Sequence, residues 1–169
     1  MPQKNKNEDA LKRTINNVEI TDPLVLECGE TLTKHEIIYE TYGELNESRS
    51  NAVLICHALS GNHHAAGLNE NGVGGWWDNY IGPGKPINTN LFHVISITNI
   101  GSCFGSTGPA MINKATGKFW GASFPALEVS DWVKSQKMLM DVLKIKVWLA
   151  VIGGSLGGMQ AMEWSVLYP

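Results

Sequence analysis

Six residues near the end of the sequence, Gly153-Gly154-Ser155-Leu156-Gly157-Gly158, have the types and spacing for nucleophilic chemistry. They match G-x-S-x-G, the pattern in which a serine rides a sharp turn between a buried strand and a helix. The glycines have a steric reason. A nucleophile on so tight a turn lies in strained backbone, and Cβ atoms on its neighbours collide. Gly153 and Gly157 are expected to relieve that crowding, and Gly158 to let the following helix lie close on the sheet. The turn exposes the Ser155 hydroxyl above the sheet edge. It leaves the Leu156 N–H at a helix N-terminus, where developing negative charge is favoured. A glycine-rich packing turn is the bland alternative. A phosphate-binding loop fits less well, because no G-K-[ST] ending is present.

An oxyanion needs a second donor, drawn from the loop after an earlier strand. That loop is His57-Ala58-Leu59-Ser60-Gly61, directly after the apolar run 52–56, and the Leu59 backbone N–H is the candidate. His57 is not read as the general base, since in this chain order the base follows the serine; it is expected to hydrogen-bond within its own loop. His63 and His64 are adjacent and project in different directions, and no H-E-x-x-H accompanies them, so no metal site is expected. Trp76 and Trp77 read as anchors of a long loop, with a place at a substrate entrance as the alternative.

The elements that must position these residues are legible as apolar runs. Segments 52–56, 92–98 and 147–152 have the continuous hydrophobicity of strands covered on both faces. Segments 18–27 and 34–42, around Cys28-Gly29-Glu30, predict a hairpin. A helix is expected over 130–145, capped by Ser130 or Asp131, with Trp132, Leu139, Met140 and Leu143 repeating at helical spacing. A second is expected over 155–167, with Met159, Met162 and Val166 on one stripe. The connections 61–88 and 99–125 are long and rich in Gly and Pro, which is uncommon unless they carry function. Residues 1–17 read as a polar tail. The alternation of strand and helix predicts an α/β fold.

Composition narrows the function classes. The 169 residues carry 13 Lys+Arg against 16 Asp+Glu, a net charge of −3, with 43% hydrophobic residues. That is the profile of one globular domain without the basic face of a nucleic-acid binder. No run approaches the ~18 apolar residues of a membrane span. The first 17 residues lack a signal-peptide core, so a cytoplasmic location is expected. Cys28, Cys56 and Cys103 form no C-x-x-C pair, which predicts neither a disulfide framework nor zinc. Cys56 reads as a small buried hydrophobe, and Cys103, in a Gly/Ser-rich loop, as a structural residue with an exposed thiol as the alternative.

Longer stretches are more specific than the elbow alone: YETYGELN (39–46), NAVLICHALSGNHHAAG (51–67), GWWDNYIGPGKPINTN (75–90), NIGSCFGSTGPA (99–110), ATGKFWGASFP (115–125), SDWVKSQ (130–136) and VIGGSLGGMQAMEW (151–164). Together they resemble the homoserine O-acyltransferases of methionine biosynthesis. The resemblance implies an α/β-hydrolase fold with a mostly parallel central sheet and an N-terminal antiparallel hairpin. Residues 18–169 would be the N-terminal part of one such domain, ending after the elbow helix, with the lid and C-terminal strands absent. It implies that Ser155 takes an acyl group from acetyl-CoA or succinyl-CoA in a ping-pong reaction and passes it to the hydroxyl of L-homoserine. Leu59 and Leu156 would supply the oxyanion N–H groups, acyl-CoA would be a co-substrate, and no cofactor would be bound. GPGKPI and GSCFGSTGP look like the proteobacterial branch, where succinyl-CoA users are common. Met111 and Lys114 stand where relatives usually carry Ser and Pro, a change expected in a loop near the site. The resemblance also puts the triad Asp and His, and the lid through which the full-length enzyme forms a homodimer, beyond Pro169. The chain alone is then expected to be inactive, with 147–152 an exposed sheet edge. A serine esterase of the same fold, or a non-catalytic half that needs a separate partner, are the alternatives.

Overall fold

The structure, a computed structural model, describes residues 10–169. Its central sheet has five strands: β1 (Arg13–Ile20), β2 (His35–Tyr42), β3 (Ala52–Cys56), β4 (His93–Ile97) and β5 (Ala150–Gly153). Their spatial order is β1-β2-β4-β3-β5. The pairs β1/β2 and β2/β4 are antiparallel, while β3 runs parallel to both β4 and β5. Two helices follow the long loops, α1 (Val129–Val142) and α2 (Leu156–Leu167). The architecture is α/β with a mixed sheet, whose parallel half carries the candidate site.

β3 is buried at every residue because both its faces are covered. Ala52, Leu54 and Cys56 face α1 and α2, in a core with Ile37, Ile95, Leu139 and Trp164. Val53 and Ile55 face the other way, onto Ala65, Ala66 and Ile81 of the loop 61–88, with Trp77 packed against them. A loop thus does on one face what helices do on the other. No helix among the described residues is long and apolar enough to cross a membrane.

Several boundaries differ from the sequence expectation, each for a local reason. β1 starts at Arg13, inside the segment expected as a tail; residues 1–9 of that tail lie outside the described residues. Its register runs from Arg13 opposite Tyr42 to Ile20 opposite His35. An outer strand buries only its inward-facing residues, so RTINN shows no hydropathy signal although it pairs fully. The hairpin between β1 and β2 carries a small ribbon of its own at the tip, Leu24–Val25 against Thr31–Leu32. α1 starts after Glu128 rather than at a Ser130 or Asp131 cap. Asp131 is its third residue: one carboxylate oxygen accepts the Glu128 N–H and the other the Glu27 N–H, both at 2.9 Å. The helix ends at Val142, short of residue 145, because Lys144 turns left-handed at φ 55° and the Ile145 N–H reaches back to the Met140 carbonyl. That is a Schellman end with lysine in the place glycine usually takes. In α2 the stripe Met159, Met162 and Val166 points outward and is exposed; the buried face is Gly157, Gln160 and Trp164.

Candidate active site

Ser155 lies between β5 and α2 with φ 56° and ψ −126°, a left-handed conformation that a side-chain-bearing residue adopts only under constraint. The neighbouring glycines make the turn sterically feasible. A Cβ on Gly157 would stand 2.1 Å from the Cys56 carbonyl oxygen, and one on Gly153 would stand 2.3 Å from that of Gly157. Gly158 does not have the packing role expected of it: a Cβ there meets nothing closer than 3.4 Å. Gly157 is the residue that brings α2 down onto the sheet.

Parallel pairing sets Gly153 opposite Cys56, so the ends of β5 and β3 lie side by side. The elbow and the loop 57–61 therefore emerge together. Beside them is a cavity of about 350 Å³ whose walls include His57, Leu59, Ile100, Phe124, Trp132 and Leu156. Both expected oxyanion residues thus border one space next to the serine, and the Leu59 side chain is 82% exposed at its rim. The loop 99–125 builds much of the remaining wall. Trp76 and Trp77 do not line it. Trp77 packs into the core, and the Trp76 indole N–H donates to the Asn62 carbonyl at 2.9 Å.

His57 is buried, and both ring nitrogens are engaged. Nδ1 lies 2.7 Å from the Ala58 carbonyl oxygen, and the Asn99 N–H donates to Nε2 at 3.1 Å. Burial lowers the imidazole's proton affinity more than the bond to Ala58 raises it. It bonds within its own loop, as expected, and has no ring nitrogen free to take a proton from Ser155. Among the described residues no histidine or carboxylate is hydrogen-bonded to Ser155.

Beneath the site lies a polar network that sequence reading missed. The Gln136 amide donates to Asn99 Oδ1 at 3.0 Å and to Gln160 Oε1 at 2.7 Å, while the Trp164 indole donates to Gln136 Oε1 at 2.8 Å. The Gln160 amide in turn donates to the His57 carbonyl at 3.1 Å. Gln136, Gln160 and Asn99 are all buried, so the network ties α1 and α2 to both loops that wall the cavity. Its one sequence signal is Gln136, on the stripe of Trp132, Leu139 and Leu143 where 3.6-residue spacing calls for a core residue; Gln160 lies off the expected stripe of Met159, Met162 and Val166 and carries none.

The far end of the HALSGNHH loop is fixed by a buried carboxylate. Glu40 accepts from the Tyr42 hydroxyl and, at 3.1 Å, from Arg13 Nη1, and His64 Nδ1 stands 3.1 Å away. The Tyr42 oxygen accepts the Ala65 and Ala66 N–H groups at 2.8 and 3.1 Å. His63 turns away to Thr98, at 2.8 Å. The two histidines do diverge, and the described residues contain no cluster of three or more His, Cys, Asp or Glu suited to a metal.

Cys56 is buried, which pushes its thiol up to about 12 and leaves it inert; Cys28 and Cys103 are exposed. Met111 and Lys114 do not border the elbow cavity. They line a separate one of about 450 Å³, where Lys114 pairs with Glu19 at 2.5 Å and Glu36 at 2.7 Å. The two positions thus lie on the loop expected near the site, two and five residues beyond Pro109 of the elbow cavity's wall, but line the second cavity.

No family model matches the chain. It is 59% identical over 158 residues to the homoserine O-succinyltransferase of Cellvibrio japonicus, covering 92% of this chain and 42% of that protein. Among solved structures it resembles the homoserine O-acetyltransferase of Bacillus anthracis, with a TM-score of 0.85 and 38% identity, covering 93% of this chain and 44% of that one. Esterase E22 is as similar, with a TM-score of 0.86 and 38% identity over 94% of this chain and 45% of that one. The chain spans about two-fifths of the length of the curated relatives it matches. By its identity to these relatives and by its architecture, the chain is a homologue of the homoserine O-succinyltransferases with an α/β-hydrolase fold.

Proposed function

We propose that this chain is the nucleophile-bearing part of a homoserine O-acyltransferase that uses succinyl-CoA as donor. The observation that carries the reading is Ser155, held at φ 56° beside a cavity bordered by both Leu59 and Leu156. The choice of transferase over esterase, and of succinyl over acetyl, is supported by the relatives at 58–64% identity, which are homoserine O-succinyltransferases.

In this reading Ser155 Oγ attacks the thioester carbonyl, and the Leu59 and Leu156 N–H groups receive the negative charge that develops on its oxygen. CoA leaves as the thiol, and Ser155 holds the acyl group as an ester. The homoserine hydroxyl then attacks that ester and frees Ser155. Splitting one transfer between bulky substrates into two steps is what a serine ester offers. The loop 99–125 walls the cavity and helps keep water from competing for the acyl-enzyme. A general base is needed to activate Ser155, and family resemblance assigns it to a His–Asp pair outside these residues. The 169-residue chain by itself is accordingly expected to be inactive, and the working enzyme a cytoplasmic homodimer.

The test is to fuse the chain to the unmatched remainder of the Cellvibrio japonicus relative and measure homoserine-dependent CoA release. Succinyl-CoA is expected to be turned over in preference to acetyl-CoA, with loss of activity in Ser155→Ala. Hydrolysis of p-nitrophenyl esters without any homoserine-dependent transfer would overturn the reading in favour of an esterase like E22. Steady CoA release by the unfused chain would overturn its inactivity.

A further inference from the structure

We infer that His57 is a positioning residue: its ring, locked in one tautomer, turns the Ala58–Leu59 peptide so that the Leu59 N–H faces the elbow cavity. The meaning of that N–H as an oxyanion donor rests on the acyl-transfer reading above; its orientation does not.

The tautomer follows from the partners. A backbone N–H can only donate, so the Asn99 N–H at 3.1 Å requires a bare lone pair on Nε2. The neutral ring must then carry its proton on Nδ1, which donates to the Ala58 carbonyl at 2.7 Å. The Gly61 N–H donates to the same oxygen at 2.9 Å, so Ala58 C=O is held inward by two donors. No peptide bond among the described residues is cis. In a planar trans peptide the C=O and the next N–H point in opposite directions. Fixing the Ala58 carbonyl toward the protein therefore turns the Leu59 N–H outward, and Leu59 borders the cavity.

The ring is itself fixed from below. The Gln160 amide holds the His57 carbonyl, and Gln136 holds the Asn99 side chain, so α1 and α2 both support the loop. A histidine is suited to this place because it presents a donor and an acceptor across one rigid ring. Protonation would remove the acceptor and set two N–H groups against each other at Nε2.

Two isosteric variants separate this role from packing. In His57→Asn the side-chain amide N–H stands where Nδ1–H stood, whereas His57→Gln reaches the Nε2 position and leaves no donor at Nδ1. Crystal structures of the 169-residue variants are expected to keep the 58–59 peptide in place in the Asn variant and rotated in the Gln variant. The same peptide orientation in the Gln variant as in the wild type would overturn the inference, as would rotation in the Asn variant. Should a variant fail to fold, solid-state ¹⁵N NMR of the wild-type chain decides: a proton on Nδ1 supports the inference, and one on Nε2 overturns it. In the fused enzyme, kcat is expected to fall about 10²–10³-fold for Gln, the scale of a lost oxyanion donor, and far less for Asn, with KM for homoserine unmoved. Peptide orientation is read without turnover. Absence of transfer would therefore sink the transferase reading and leave the geometry standing.

Discussion

Gly157 and Gly158 are adjacent and chemically identical, yet space divides them. A methyl group on Gly157 would be driven into the Cys56 carbonyl at 2.1 Å, a backbone atom that can yield only if β3 and α2 separate. Gly157→Ala is expected to cost at least the ~1–3 kcal/mol typical of overpacking and to displace the elbow. Gly158 meets nothing nearer than 3.4 Å and lies in the first turn of α2, so Gly158→Ala is expected to be neutral or to stabilise by up to ~1 kcal/mol. Urea unfolding of the two variants checks the contrast; equal losses would mean that the close approach at Gly157 is not what limits the turn. The sequence pattern assigned the close helix packing to Gly158 where the fold assigns it to Gly157, because a sequence carries no record of which Cβ would meet backbone.

At the level of elements, the buried strands were legible and the buried polar groups were not. Ala52–Cys56 matches its expected bounds, and His93–Ile97 lies within a residue of them, because continuous aliphatic runs have no other place to go. The first strand was half hidden because in RTINN the positions in step with buried Ile20, Thr14 and Asn16, are polar while Ile15 points outward and is exposed, and the start of α1 was misplaced because Asp131 caps from inside the helix. Glutamine is a type mostly found at the surface, yet Gln136 and Gln160 form the joint between the two helices and the site loops. Replacing Gln160 by Leu would leave the His57 carbonyl and one Gln136 donor without their partner, and a loss of about 1–3 kcal/mol is expected in denaturant unfolding. Loss below a few tenths would mean that the network is dispensable to stability. The outward stripe of α2 makes the opposite error: Met159, Met162 and Val166 look like core and are exposed, next to an outermost strand β5 flanked by exposed Val147 and Leu149. Unpaired strand edges and apolar patches drive association. The 169-residue chain is therefore expected to elute above its monomer mass in light-scattering chromatography, and Met162→Glu to shift it toward monomer. A monomeric wild type at tens of micromolar would refute this.

For the whole molecule, burial biases four histidines, His35, His57, His63 and His93, toward the neutral form, and that sets how the fold responds to acid. His35 is enclosed between β2 and α1, near the Ser135 hydroxyl at 3.3 Å, and burial lowers it to about 4 from its ordinary 6.5. Burial is also the leading cause of the lowered values at His57, His63 and His93. In each case the unfolded chain binds a proton at a pH where the folded chain does not, so stability rises with pH across that window. Going down, stability begins to fall near pH 6.5 and for His35 continues to fall to about 4. At about 1.36 kcal/mol per pH unit, His35 alone accounts for a loss on the order of 3 kcal/mol. The exposed carboxylates Glu19, Glu27 and Glu44, held low first by Lys114, Lys134 and Lys12, release their smaller contributions below the ordinary carboxylate range, so the two effects separate along the pH axis. Urea midpoints between pH 7.5 and 4.5 are expected to decline steeply in the wild type and less steeply in His35→Leu. An identical decline in both would show that other groups carry the acid sensitivity. The same window bears on the site. Protonating His57 removes the acceptor for the Asn99 N–H but leaves Nδ1–H on the Ala58 carbonyl, so the tie between the loops 57–61 and 99–125 that wall the cavity is expected to fail in acid before the Leu59 peptide turns or the sheet unfolds. Loss of acyl transfer would then precede loss of secondary structure as pH is lowered, a sequence that circular dichroism and activity of the fused enzyme, followed in parallel, can check.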